Sequence, residues 1–280
     1  MAVTDLRTTA PVTRRGVPRR YLMCAPEHFD VVYRINPWMD PDRPTGRRRA
    51  LRQWQRIVDA YRGAGHEVVL VDPVEGLPDM VFTANAGLVL GGRGLVSRFR
   101  HPERAGEQRA FHAFFDHLGL IEVADASYVN EGEGDYLPVG PIILGGSGFR
   151  TDPRSHDEVS EYFSRPVVPL ELVDERFYHL DTALTVLDED QIAYWPGAFA
   201  PSSQGRLREL FPDAVLASEA DAVAFGLNAC SDGTNVVMSS GARRLAAMFR
   251  DRGFTPVPVP TSELQKAGGS AKCCVLELSC

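Results

Sequence analysis

The chain has 280 residues, 44% hydrophobic and 24% charged, with a formal net charge of −7. That balance belongs to a globular protein with a sizeable core. It argues against a nucleic-acid partner, which calls for a basic excess, and no apolar run approaches the ~18 residues of a membrane span.

The first 20 residues carry Arg7, Arg14, Arg15, Arg19 and Arg20 with no apolar stretch behind them. Residues 1–20 therefore read as a flexible polar arm, not a signal peptide, and 21–280 as a single domain. A strand is expected at Tyr21–Cys24. From there one pattern recurs: helix, Gly or Pro, a β-branched strand, a polar cluster, a second strand. The first copy has a helix over about 48–63, with Leu51, Trp54, Val58 and Tyr61 at helical spacing. The strand Glu67–Val71, the cluster Asp79–Asn85 and the strand Ala86–Leu90 follow. In the second copy Phe111, Phe114, Phe115 and Leu118 mark a helix, followed by Leu120–Ala124 and the cluster Asn130–Asp135. The third runs from a helix over 155–163 through Pro166–Leu172 and His179–Asp181 to Ala183–Leu187. The fourth runs from a helix over 202–211 through Ala214–Ala217 to Asn228. The fifth runs from a helix over 240–252 through Thr255–Val259 and Gly268–Cys273 to Val275–Leu278.

The strand starts near 67, 120, 167, 214 and 255 lie 53, 47, 47 and 41 residues apart. A doubly wound sheet would also alternate helices and strands. Strand pairs between helices, and polar clusters at the same place in every copy, favour a closed ring with protected edges. The expected fold is α/β, a five-bladed pseudo-symmetric propeller with its clusters converging at one axis. Tyr21–Cys24 would complete the last unit.

The clusters bring together chemically compatible groups. Glu131-Gly132-Glu133-Gly134-Asp135 sets acids among glycines, which let a ligand approach the backbone closely. Cys273 and Cys274 follow a Gly-rich turn. If that segment is a strand they face opposite ways, so only one thiol meets the axis. A nucleophilic thiol needs a base or a depressed pKa, and His179 is the natural candidate, with Asp181 on the same face if the segment is extended. The competing reading makes these cysteines small buried hydrophobes and His179 a surface strand start. An axis lined by Asp79, Glu131, Asp135 and Asp181, with one thiol and one imidazole, suits a planar cation rich in N–H donors. His28, His66, His101, His112, His117 and His156 read as solvated. The five cysteines, with no secretion signal, imply reduced thiols and a cytoplasmic protein. Without CxxC or HExxH, no metal or other cofactor is expected. Cys24, Cys230 and Cys280 have no assigned role.

In combination these motifs resemble the pentein superfamily of guanidino-group-modifying enzymes: arginine deiminases, dimethylargininases and amidinotransferases. The resemblance runs from about 21 to 278 and implies a single five-bladed catalytic domain. Leu77-Pro78-Asp79-Met80-Val81-Phe82 resembles a dimethylargininase segment, implying that Asp79 binds substrate. Val96-Ser97-Arg98 and Arg150-Thr151 resemble segments whose arginines grip the substrate carboxylate. Residues 131–135 resemble the EGGD element with one residue inserted, leaving Glu131 or Glu133 for the acid role, with Glu131 favoured. His179-Leu180-Asp181-Thr182 is similar to the deiminase HLDT, and Cys273-Cys274 to a dimethylargininase ending in which the first cysteine is the nucleophile. Asn85 stands where deiminases carry Asp. With Asn36, in Ile35-Asn36-Pro37-Trp38-Met39, it is similar to the arginine dihydrolases, in which both asparagines lie in the substrate site.

The resemblance thus implies Cys273, His179 and Glu131 as catalytic residues, and Asp79, Asn85, Asn36, Arg98, Arg150, Asp135 and Asp181 as substrate-binding. The partner is a small molecule, arginine or a derivative. The preferred reaction is arginine to ornithine, ammonia and carbon dioxide through a thiouronium intermediate. Dimethylargininase or deiminase chemistry and a catalytically dead binding module are the alternatives. Oligomeric state is not readable from the sequence.

Overall fold

A parallel strand pair needs a crossover of a dozen or more residues, usually a helix, whereas an antiparallel neighbour needs only a turn. This chain uses the helical crossover five times and the turn four times. The structure, a computed structural model, describes residues 14–279. The elements in chain order are β1 (Arg20–Cys24), α1 (Arg47–Gly63), β2 (Glu67–Val71), β3 (Gly87–Leu90), β4 (Arg93–Val96), α2 (Ala105–Asp116) and β5 (Glu122–Asp125). They continue with β6 (Tyr136–Val139), β7 (Ile142–Ser147), α3 (Ser155–Phe163), β8 (Val167–Glu171), the single turn α4 (Leu180–Ala183), β9 (Leu184–Val186), β10 (Ile192–Tyr194), α5 (Pro201–Leu210) and β11 (Val215–Leu216). The short α6 (Glu219–Val223), β12 (Cys230–Ser231), β13 (Asn235–Ser239), α7 (Arg243–Asp251), β14 (Thr255–Val259) and β15 (Leu276–Glu277) complete the series.

Five three-stranded sheets result: β15-β1-β2, β3-β4-β5, β6-β7-β8, β9-β10-β11 and β12-β13-β14. In each, the first pair is antiparallel and the second parallel, with a helix crossing between the parallel strands. β15 closes the ring on β1, with Tyr21 opposite Glu277 and Leu22 opposite Leu276. The fold is therefore the expected five-bladed α/β propeller. The predicted strands at 67, 120, 167, 214 and 255 are the outer strands, which begin at 67, 122, 167, 215 and 255.

Three strands, not two, separate successive helices. The middle strands β4, β7, β10 and β13 had no place in the predicted repeat. Several of them are buried on both faces and lack period-two alternation; β7 reads IILGGS with a burial pattern that stays closed after its first residue. The helices carry apolar stripes. α1 buries Ala50, Trp54, Ile57, Val58 and Tyr61, and α2 buries Phe111 and Phe115 completely, each worth roughly 2–3 kcal/mol of apolar burial. His66 and His156, expected to be solvated, are buried, on Arg19 N and Tyr136 respectively.

The first 13 residues of the predicted polar arm lie outside the described residues. Residues 14–19 run against the ring. Arg14 pairs with Asp188 and stacks 3.5 Å over the Phe254 ring, Val17 N donates to Asp232 O, and Arg19 pairs with Glu277.

Candidate active site

The inner strands β3, β6, β9, β12 and β15 are each preceded by a short turn, and these five turns hold the polar clusters. Before β3, 3-10 turns at Pro78–Val81 and Thr83–Ala86 carry Asp79 and Asn85. Before β6, Glu131 leads into the 3-10 turn Gly132–Gly134, and Asp135 ends it. Gly132 has φ +57, and a Cβ there would sit 2.4 Å from Gly87 O, so only glycine allows this approach. Before β9, His179 is extended and Asp181 lies in the helical turn α4. Asn228 precedes β12. Before β15, Gly268 at φ +85 packs on Asn36 and Tyr178 and starts the turn that presents Cys273.

Each turn contributes to one buried cluster. Cys273 Sγ lies 3.2 Å from Asp181 Oδ2 and 3.0 Å from Asn228 Nδ2. Asn228 also donates to Asp181 O and accepts from Ser270 N and Cys273 N, which locks the thiol turn to α4. His179 Nδ1 is 3.0 Å from Asp135 Oδ2, and its Nε2 is 3.1 Å from Glu131 Oε2 but out of hydrogen-bond alignment. Glu131 Oε2 accepts from Arg150 at 2.8 Å. Asp79 Oδ2 accepts from Tyr33 at 2.9 Å. Among the described residues, Asp79 Oδ1 and Asp181 Oδ1 have no partner although both side chains are buried. Buried carboxylate oxygens left unpaired are costly, so two acceptors stand ready for a ligand that donates N–H.

Six buried acids (Asp79, Glu107, Glu131, Glu133, Asp135, Asp181) face four cations, Arg104, Arg150, Lys272 and a protonated His179. Burial alone would lower the His179 pKa, but Asp135 and Glu131 outweigh it and raise it to about 9. Burial, reinforced by Asp181, pushes the Cys273 thiol well above its ordinary value. Burial also raises Asp79, against Arg104, and Asp181, against His179. Glu131 goes the other way: Arg150 and His179 overcome its burial and hold it well below the usual range. The centre thus holds a thiol against Asp181 and an imidazolium between Asp135 and Glu131, in a surplus of acid. An incoming cation that pairs with Asp79 and Asp181 favours the thiolate.

A mouth of about 410 Å3, lined in part by Asn36, Arg100, Phe149, Arg150 and Tyr178, opens toward this cluster. Asn36 is buried in its own turn, donating to Ala267 O and accepting from Trp38 N. Arg150 stacks over Tyr178, 4.6 Å from the ring centroid.

Arg98 is exposed, donates to Ser127 O and bridges Asn130, the neighbour of Glu131. Arg104 is buried, bonded to Asn85 Oδ1 at 2.8 Å and bidentate to Glu107. Three sequence expectations need correction. Asp135 has no oxygen free for substrate: it accepts from His179, Thr151 and Leu180 N, so it orients the imidazole. His179–Thr182 is not an extended strand start, because a helical turn begins at Leu180. Cys273 and Cys274 lie in a turn, not on a strand, and both are buried.

Tyr33, Arg104, Glu107, Tyr178 and Asn228 carried no predicted role. For Asn228 the signal was present, since it ends the polar cluster of the fourth repeat. For Arg104 it was not. Arg98, Arg100 and Arg104 all occur within seven residues, and only the turn at Pro102–Arg104 decides which one points inward.

No family model matches the chain. A dimethylarginine dimethylaminohydrolase of Mycobacterium tuberculosis is 50% identical over 276 residues, 99% of this chain and 91% of that protein. The bifunctional arginine dihydrolase/ornithine cyclodeaminase ArgZ of Synechocystis is 39% identical over 93% of this chain, which spans only 38% of that relative's length. The crystal structure of the ArgZ N-terminal domain, a mutant bound to substrate, superposes with a TM-score of 0.89 at 38% identity, covering 93% of this chain and 98% of that one. A dimethylarginine dimethylaminohydrolase structure at 19% identity and TM-score 0.75 shares the fold. The chain belongs to the pentein family of guanidino-group hydrolases that holds the dimethylarginine dimethylaminohydrolases and the arginine dihydrolases.

Proposed function

We propose that this enzyme hydrolyses L-arginine to ornithine, ammonia and carbon dioxide. The carrying observation is a buried thiol 3.2 Å from Asp181 Oδ2, with two buried acceptors, Asp181 Oδ1 and Asp79 Oδ1, left without partners among the described residues. They accept the guanidinium N–H groups, while Arg150 and Arg100 supply cations at the mouth. As the substrate cation docks, Cys273 gives up its proton to solvent and its thiolate attacks the guanidino carbon. His179 donates a proton to the departing nitrogen, then takes one from the water that attacks the thiouronium carbon. Glu131 and Asp135 hold the imidazole between them.

Asn85 favours a second round on the ureido product. Its oxygen is held by Arg104 and one N–H by Glu131 O, which leaves one N–H to meet a ureido oxygen. The substrate-bound ArgZ domain supports the same reading. The 50% identical Mycobacterium relative supports a second one, dimethylargininase. Purified enzyme offered arginine, Nω,Nω-dimethylarginine and citrulline separates them by product mass. Ornithine from arginine and from citrulline supports the first reading, and dimethylamine with citrulline supports the second. Turnover of none of the three refutes both. A reducing, cytoplasmic setting is part of the same proposal, and the thiols Cys24, Cys230, Cys273 and Cys274, free among the described residues, suit it.

A further inference from the structure

His179 has two opposite tasks: to give a proton to the departing nitrogen and to take one from water. Both depend on how tightly its neighbours hold that proton. Its Nδ1 is 3.0 Å from Asp135 Oδ2, and its Nε2 is 3.1 Å from Glu131 Oε2. A further side chain bonds both residues of this clamp. Thr151, only 4% exposed, lies in the bend after β7, which Asp152 N ties to Val129 O beside the Glu131 turn. Thr151 Oγ1 is 2.7 Å from Asp135 Oδ2 and 3.3 Å from Glu131 N. Proton count fixes the roles at that oxygen. The Glu131 N–H can only donate, and the carboxylate paired with the imidazolium can only accept. The hydroxyl therefore accepts from Glu131 N and gives its one proton to Asp135. Its length is that of a charge-assisted bond. The other Asp135 oxygen is taken by Leu180 N at 3.1 Å, so Thr151 and His179 share a single carboxylate oxygen.

We infer that Thr151 is a positioning residue for His179: its hydroxyl fixes Asp135 against the ring and takes up part of the carboxylate's charge, so that the imidazolium can release its proton. This role rests on the acid–base work given to His179 above. The other groups that face the ring are Glu131 from the same turn, Asp181 from α4, and Tyr178, whose ring centroid is 4.8 Å away. The nearby cations are engaged with acids, Arg150 and Arg104 with Glu131, and Lys272 with Glu133. Asp135 and Glu131 already raise the His179 pKa to about 9 against burial. Without the hydroxyl, the full charge of Asp135 Oδ2 falls on the Nδ1–H and holds the proton more tightly. Such a ring gives its proton less readily to the departing nitrogen. At neutral pH it is also the neutral base for a smaller fraction of the time.

The test deletes the hydroxyl and then restores it. Thr151→Val removes it at nearly constant volume, Thr151→Ser keeps it, and Thr151→Ala replaces the valine variant if that fails to fold by circular dichroism. Two readouts are taken: kcat and KM for arginine across pH, and an NMR titration of 15N-labelled histidine, with the His179 signal assigned by its loss in His179→Gln. In Thr151→Val, KM is expected within about twofold of wild type and kcat at pH 7 down about tenfold. Its His179 titration and the acid limb of its kcat profile should both move up by about half a unit or more. Thr151→Ser should return kcat to within about threefold and the titration to that of wild type. A folded variant lacking the hydroxyl that keeps the wild-type titration and profile overturns the role, as does a serine variant no better than valine. The NMR titration needs no substrate, so it decides the role of Thr151 even if the wild type turns over no arginine derivative, the result that refutes the hydrolase reading.

Discussion

The leading and trailing ends of the inner strands are built from the same five blades and treat charge in opposite ways. At the trailing end each cation meets a carboxylate, Lys272 with Glu133, Arg19 with Glu277 and Arg14 with Asp188, and only a nitrogen, Arg19 Nε, is left over. At the leading end matching stops short. Asp79 and Asp181 each keep an oxygen without a partner among the described residues, and His179 Nε2 is left out of alignment. A fully paired polar network specifies a fold; an incomplete one is retained where a ligand completes it. Pseudo-symmetry therefore fixes where side chains converge, while the incompleteness of their pairing marks which end does chemistry.

If that contrast holds, substitutions at the two ends differ in kind. The largest effect belongs to the thiol. Cys273→Ser is expected to lower turnover by ~10^3-fold or more, with arginine binding by calorimetry retained and the melting temperature little changed. At the Lys272–Glu133 pair the order inverts: Lys272→Met strands Glu133 and should destabilise the fold by about 3–5 kcal/mol in denaturant titrations. A stable Lys272→Met variant would break the comparison.

His179 gives a pH-dependent version. Its pKa is raised in the folded state to about 9 by Asp135 and Glu131 against burial. The stabilisation it provides is therefore complete below about pH 6.5, its unfolded value, and disappears as pH rises through about 9. Relative to His179→Gln, the wild type should hold an advantage of about 3 kcal/mol at pH 6, declining toward zero by pH 10. An advantage that grows with pH would contradict the assigned partners.

Asp79→Asn should cost ~100-fold in kcat/KM, the order of a lost charge-assisted hydrogen bond, without loss of stability, because it removes an under-paired buried charge. A large stability loss would move Asp79 to the structural side of the contrast. The smallest effect is that of Arg98→Ala, with kcat and KM expected to stay within about twofold. A tenfold rise in KM would return Arg98 to the carboxylate site.

Most of the architecture was legible because it repeats. Trp54, Val58 and Tyr61 mark α1, Phe111 and Phe115 mark α2, and the outer strands follow each helix after a Gly or Pro turn. The middle strands escaped notice because short, Gly-laced segments such as β7 carry no alternating pattern once both faces are covered. Asp79, Glu131, His179, Asp181 and Cys273 were legible as polar interruptions at equivalent points of the repeat. Direction was not. Which arginine between 98 and 104 turns inward, and whether Asp135 faces substrate or His179, depends on local turns that one-dimensional spacing does not encode.

The most direct measurement is fragment-resolved mass spectrometry of enzyme acid-quenched during turnover of arginine. Substrate-derived mass on Cys273, with its neighbour Cys274 unmodified, is the expected result. Modification of Cys274 instead, or continued turnover in Cys273→Ser with no adduct anywhere, would contradict the assignment of the nucleophile.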